Sequence, residues 1–128
     1  MAILKIARMG HPVLQHRAEE VSDPTAPPIR KLVMDMIETM HDANGRGLAA
    51  PQVHVPLRVV VFITPEEDEH AGVTAIVNPV LDLLTAERVE GWEGCLSVPG
   101  LQGVVPRAPK VRYSGVTPDG TPIDRTVE

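Results

Sequence analysis

Apolar residues in the first third of the chain follow a helical period. Ile29, Leu32, Val33, Met36, Ile37, Met40 and Ala43 recur at spacings of three and four, which puts them on one face and predicts an amphipathic helix from Pro28 to Ala43. Pro28 suits a first turn, where a missing N–H costs nothing, and Asn44-Gly45 suits a left-handed stop. A shorter helical turn is expected after His11-Pro12. Beyond Gly47 the pattern becomes β-like, with strands predicted over Leu57 to Thr64, Ala75 to Val80, Leu83 to Val89, Pro109 to Tyr113 and Ile123 to Val127. Pro118-Asp119-Gly120 predicts a hairpin turn between the last two, and Pro65 to Gly72 reads as an acidic surface loop.

These elements predict an α+β fold, with one long N-terminal helix packed on antiparallel β-sheets, and residues 1–128 as a single domain. Thirteen prolines and ten glycines interrupt the chain often, so short strands are expected. Phe62, Trp92 and Tyr113 are the only aromatics, which leaves the core to Val, Ile, Leu, Met and Ala. A net charge of −5 with no basic cluster gives no footprint for a phosphate backbone, so no direct nucleic-acid partner is expected. The single cysteine, Cys95, cannot form an internal disulfide, which fits a reducing compartment and makes the cytoplasm the expected location. No membrane partner is expected either, because the N-terminus lacks a signal-peptide core and the longest β-like apolar run, Val59 to Ile63, is too short to span a bilayer. Nothing in the sequence specifies an oligomeric state.

Two stretches could carry chemistry. In Gly45-Arg46-Gly47-Leu48-Ala49-Ala50-Pro51-Gln52 the small residues allow another backbone or a ligand to approach. Two glycines alone describe a helix stop as well as they describe a site. Gln52 could donate a hydrogen bond to a carbonyl oxygen gaining charge, or be a satisfied core amide. The second stretch is Glu93-Gly94-Cys95-Leu96-Ser97. A free cysteine is more often a small core residue than a ligand, and a thiolate metal site needs further ligands, usually histidines. His11 and His16 fall on different faces of any helix, His41 suits the negative end of the long helix, and His54 and His70 sit in loop-like contexts. Only His54, near Gln52, is placed to act as a base for a cysteine nucleophile.

Together the two stretches resemble the peptide deformylases, whose motifs read Gly-φ-Gly-φ-Ala-Ala-x-Gln, with φ apolar, and Glu-Gly-Cys-Leu-Ser. The resemblance to the bacterial form extends over the chain and includes Asn78-Pro79, expected as a strand exit, and Val98-Pro99-Gly100. It implies a metal-dependent hydrolase that removes the formyl group from N-formylmethionyl nascent peptides. In that reading Cys95 is a metal ligand, the metal being Fe2+ with zinc or nickel as substitutes. Gln52 and the backbone N–H of Leu96 form the oxyanion hole, and Gly47 and Gly94 line the edge on which an extended substrate lies. Arg46, where the family commonly has an apolar residue, is expected to reach the peptide beyond its methionine. Family membership implies the ribosome exit as the place of work.

The family's third motif, His-Glu-x-x-His, supplies two metal ligands and the catalytic glutamate. It does not occur in this sequence, so the remaining ligands are absent from it. The 128 residues are therefore expected to lack the family's C-terminal active-site helix, to expose apolar surface and to be inactive alone. Two further readings stay open: a non-catalytic module that binds formyl peptides or a partner strand, and a metal-free cysteine hydrolase.

Overall fold

The computed structural model describes residues 2–65 and 71–128. A 3-10 turn at Pro12–Leu14 follows His11, whose Nδ1 accepts the Val13 N–H. The long helix, α1, spans Pro27–Asp42, with proline in its first turn as expected. It ends in a Schellman arrangement: Asn44 adopts φ +56°, its N–H donates to His41 O, and the Gly45 N–H reaches back to Met40 O at 2.9 Å. The buried face carries Ile29, Val33, Met36 and Met40, which pack on Leu48, Ala50, Val53, Val59, Val61 and Val77. The core is thus aliphatic, as the scarcity of aromatics predicted. Asp35 and Thr39 share that face and hold the N-terminal segment, accepting the N–H groups of Ala2 and Leu4, each at 2.8 Å.

Seven strands follow: β1 Gly47–Ala49, β2 Val59–Thr64, β3 Gly72–Leu83, β4 Val89–Cys95, β5 Val98–Arg107, β6 Val111–Val116 and β7 Pro122–Val127. A second 3-10 turn, Ala50–Val53, lies between β1 and β2. The strands form a five-stranded sheet in the order β1-β2-β3-β6-β7 and a separate β4-β5 hairpin, with every pairing antiparallel. The helix packs on β1 and β2, so the α+β expectation holds. The β6-β7 turn falls at Pro118-Asp119-Gly120, with Gly120 at φ +92°.

Several expectations fail for identifiable reasons. Strands are not all short: β3 runs 12 residues, passing through Asn78-Pro79 instead of ending there. Asn78 sits at φ +55° in a bulge between Val77 and Val80. Its amide accepts the Val21 N–H at 2.8 Å and donates to Val21 O at 2.9 Å, so a distant segment holds the left-handed residue in place. Of the strand predicted over Leu83 to Val89, only the two end residues lie in strands, β3 and β4, and residues 84–88 are a connection, pinned by Arg88 Nη1 donating to Thr85 O and Glu87 O. Strand β5 was not foreseen, because Pro99, Gly100, Gly103 and Pro106 read as breakers. Residues 66–70 of the expected acidic loop lie outside the described residues.

Val80, Leu81, Trp92 and Leu101 are 56%, 62%, 73% and 64% exposed, so β3 and the hairpin present apolar side chains to solvent. Among the described residues no helix is long and apolar enough to cross a membrane.

Candidate active site

The helix stop delivers the chain at Gly45 and Arg46 to the start of β1. Strand β1 is the edge of its sheet: Gly47 pairs with Phe62 on one side, and its other side borders an open cleft of about 920 Å³. The opposite wall is the β4-β5 hairpin, including Glu93, Gly94, Cys95 and Leu96. The two stretches singled out in the sequence therefore face each other.

Gln52 lies in the 3-10 turn after β1, and its Oε1 accepts the Ala49 N–H at 2.9 Å. That bond directs its amide nitrogen towards the hairpin, where Nε2 approaches Cys95 Sγ at 3.5 Å and donates to Ser97 Oγ at 3.0 Å. Cys95 closes β4 and is exposed, which removes the buried-core reading of this cysteine. Leu96 and Ser97 form the turn into β5. The N-terminal segment ties both sides together: the Ala7 N–H donates to Gln52 O at 2.6 Å and the Met9 N–H to Ser97 O at 2.8 Å.

Glycine serves different ends along this cleft. A Cβ on Gly45 would stand 2.7 Å from Leu96 Cδ1, so with Leu96 in this rotamer the packing of helix stop against hairpin uses the bare residue. A Cβ on Gly47 would meet nothing closer than 3.6 Å, and one on Gly94 nothing closer than 3.7 Å. Packing does not demand glycine at these two positions.

Glu93 is bound in a bidentate pair by Arg107, at 2.9 and 2.7 Å. This hydrogen bonding, helped by the Arg107 charge, holds its carboxyl below the usual carboxylate range and raises the guanidinium. The pair braces the hairpin and gives Glu93 a structural role. His54 caps the second 3-10 turn at φ +66°, exposed, with its ring edge-on to His11 at 4.7 Å. Among the described residues the hydrogen-bond partner of Cys95 Sγ is the Gln52 amide, not His54. His11 and His16 are exposed, as is His41 in the last turn of α1, while His70 lies outside the described residues.

A thiolate alone does not make a metal centre, which takes about four donors in a closed set. Among the described residues no group of three or more His, Cys, Asp or Glu side chains stands together as a metal-binding set. The donors present thus do not fit a metal by themselves. The sequence singles out Gln52 and Cys95 but not the bonding of Gln52 to Ser97, although Ser97 stands within the Glu93–Ser97 stretch. It also missed the Gly45–Leu96 contact, the Arg107 partner of Glu93 and the tie from Ala7 and Met9, for which no local signal exists.

The family model described as polypeptide deformylase matches residues 3–128. The chain is 45% identical to peptide deformylase 2 of Bordetella bronchiseptica over 128 residues, covering 96% of this chain and 73% of that one. It is 44% identical to peptide deformylase 1 of Nitrosomonas europaea, with 98% and 74% covered. Among solved structures, the Ehrlichia chaffeensis peptide deformylase in complex with actinonin superposes with a TM-score of 0.91 at 36% identity, covering 100% of this chain and 76% of that one. The Acinetobacter baumannii class I type b enzyme bound to Met-Ala-Ser gives 0.89 at 31%, covering 98% and 84%. On motif, fold and family match alike, the chain belongs to the polypeptide deformylases, the metal-dependent hydrolases that remove the N-formyl group from nascent peptides.

Proposed function

We propose that the cleft between β1 and the β4-β5 hairpin is the deformylation site, with the formyl carbonyl oxygen received by Gln52 Nε2–H and the Leu96 backbone N–H. The observation that carries this reading is the placement of the Gln52 amide beside Cys95 Sγ and Ser97 Oγ, 43 and 45 residues away in sequence. A carbonyl under attack gains negative charge on oxygen, and donors fixed beforehand stabilise that charge without reorganising. The bare edge at Gly47 and the open position at Gly94 accommodate an extended N-formylmethionyl peptide as an added strand. The Met-Ala-Ser peptide bound by the Acinetobacter enzyme is in keeping with such a ligand. Arg46, exposed at the cleft, contacts the peptide beyond its methionine.

Cys95 is the metal ligand these residues contribute, ferrous iron being the proposed metal and zinc or nickel its substitutes. The 128 residues form one domain that takes part in this reaction in the cytoplasm, on chains emerging from the ribosome, once further ligands complete the metal site. The test is deformylation of a formylmethionyl peptide by the purified chain, supplied with ferrous or nickel ion under reducing conditions. With the metal site completed by added ligands so that turnover is measured, Gln52→Ala is expected to lower kcat by about 10²–10³-fold. Turnover unaffected by Gln52→Ala refutes the assignment of the oxyanion donor.

That no group of three or more potential ligands stands together among the described residues favours a second reading, a groove that binds formyl peptides without turnover. Saturable binding of formylmethionyl peptide, with no formate released at any metal concentration, would establish it.

A further inference from the structure

An amide donor serves a reacting carbonyl only if it is held against flipping and rotation. At Gln52 the oxygen is held, because Oε1 accepts the Ala49 N–H. One Nε2 hydrogen is also held, donated to Ser97 Oγ at 3.0 Å. The other lies towards Cys95 Sγ at 3.5 Å, a weak acceptor bordering the cleft, and is therefore the hydrogen a ligand can claim. Ser97 is well placed to act as the fixed point. It is only 4% exposed, and its own carbonyl is anchored by the Met9 N–H.

We propose that Ser97 is a positioning residue for Gln52, its hydroxyl oxygen engaging one amide hydrogen so that the other is presented to the formyl oxygen. The proposal rests on the reading of Gln52 as an oxyanion donor. Any small residue could fill the turn, so what distinguishes this role from packing is its need for an acceptor at the Oγ position. Ser97→Ala deletes the acceptor and Ser97→Thr retains it.

The experiment is side-chain amide NMR on the uniformly 15N-labelled chain, with kinetics on the same variants. The two Gln52 Nε2 hydrogens are inequivalent as in any primary amide, and in the wild type the one bonded to Ser97 should exchange with solvent about tenfold more slowly than its counterpart in a free glutamine side chain. In Ser97→Ala that added protection should be lost while the backbone spectrum is kept, and Ser97→Thr should restore it. Turnover in Ser97→Ala should fall by about 10–100-fold in kcat with KM unchanged, since the loss is confined to the transition state. Exchange of both hydrogens in the wild type as fast as in a free glutamine side chain overturns the proposal without any variant, and so does an unaltered Gln52 signal in Ser97→Ala. If Gln52→Ala leaves kcat intact, the oxyanion reading fails instead, whatever the amide spectrum shows of Ser97.

Discussion

Gly45→Ala tests whether the two motifs truly pack on one another. The added methyl carbon would stand 2.7 Å from Leu96 Cδ1, 3.2 Å from Cγ and 3.4 Å from Cδ2. Carbon atoms rest about 3.5–4.0 Å apart, so the closest pair overlaps by about 1 Å. Gly45 cannot retreat freely, because its N–H closes the helix on Met40 O. Leu96 must turn to another rotamer or the hairpin must move, and Leu96 itself packs against the core. Overpacking of this kind costs about 1–3 kcal/mol. For a chain of this size that lowers Tm by roughly 3–6 °C per kcal/mol. The assay is a double-mutant cycle by thermal unfolding of Gly45→Ala, Leu96→Ala and the pair. Removing the leucine branch should relieve the clash, so the double variant should be more stable than the sum of the singles predicts, by about 1–2 kcal/mol. Additivity within about 0.5 kcal/mol would refute the contact.

Asn78→Ala should cost about 2–3 kcal/mol in denaturant unfolding, through two lost bonds to Val21 and a left-handed residue with no side-chain support; a cost no greater than that of a surface alanine would show the bulge to be self-sustaining. Met9→Pro deletes the N–H given to Ser97 O from a residue whose side chain is 73% exposed, so it should lower stability by about 1–3 kcal/mol while Met9→Ala stays within about 0.5; equal effects would remove the tie. Asp35 is held below the usual carboxylate range, first by its hydrogen bond from Lys31 and then by the Ala2 N–H. A lowered folded value means stability present above the ordinary carboxyl value, about 3.9, and lost as pH falls through the lower folded one. The stability advantage of wild type over Asp35→Asn should therefore shrink from about pH 5 downward, and a difference constant with pH would sink the argument.

What could be read from sequence was local in origin. Helix α1 was legible because its apolar period and both end signals lie within its own residues. Strands β2, β6 and β7 were legible as short runs of β-formers, and the core composition followed from the scarcity of aromatics. The misread elements depend on partners elsewhere. Asn78 looks like a strand end until Val21, 57 residues away, is seen to hold it inside β3. Strand β5 holds its prolines and glycines because the β4 ladder supports it. The candidate site divides in the same way: residue types left Gln52 and Cys95 open and the resemblance to the family singled them out, whereas Ser97, Gly45 and Arg107 acquire their parts only from what they touch.

Those contacts also explain how an open cleft can hold a side chain in place. Three segments distant in sequence are joined pairwise, Ala7 to Gln52 at 2.6 Å, Met9 to Ser97 at 2.8 Å and Gln52 to Ser97 at 3.0 Å. A closed triangle of bonds leaves each segment two restraints, so losing one weakens the arrangement without freeing it. Bonds sharing a partner do not contribute additively. Gly45 adds a steric stop against Leu96, and Arg107 braces Glu93 on the same hairpin. The geometry at Gln52 is thus set mainly by groups that need not touch a substrate, and substitutions among them should affect turnover more than their distance from the formyl carbon would indicate.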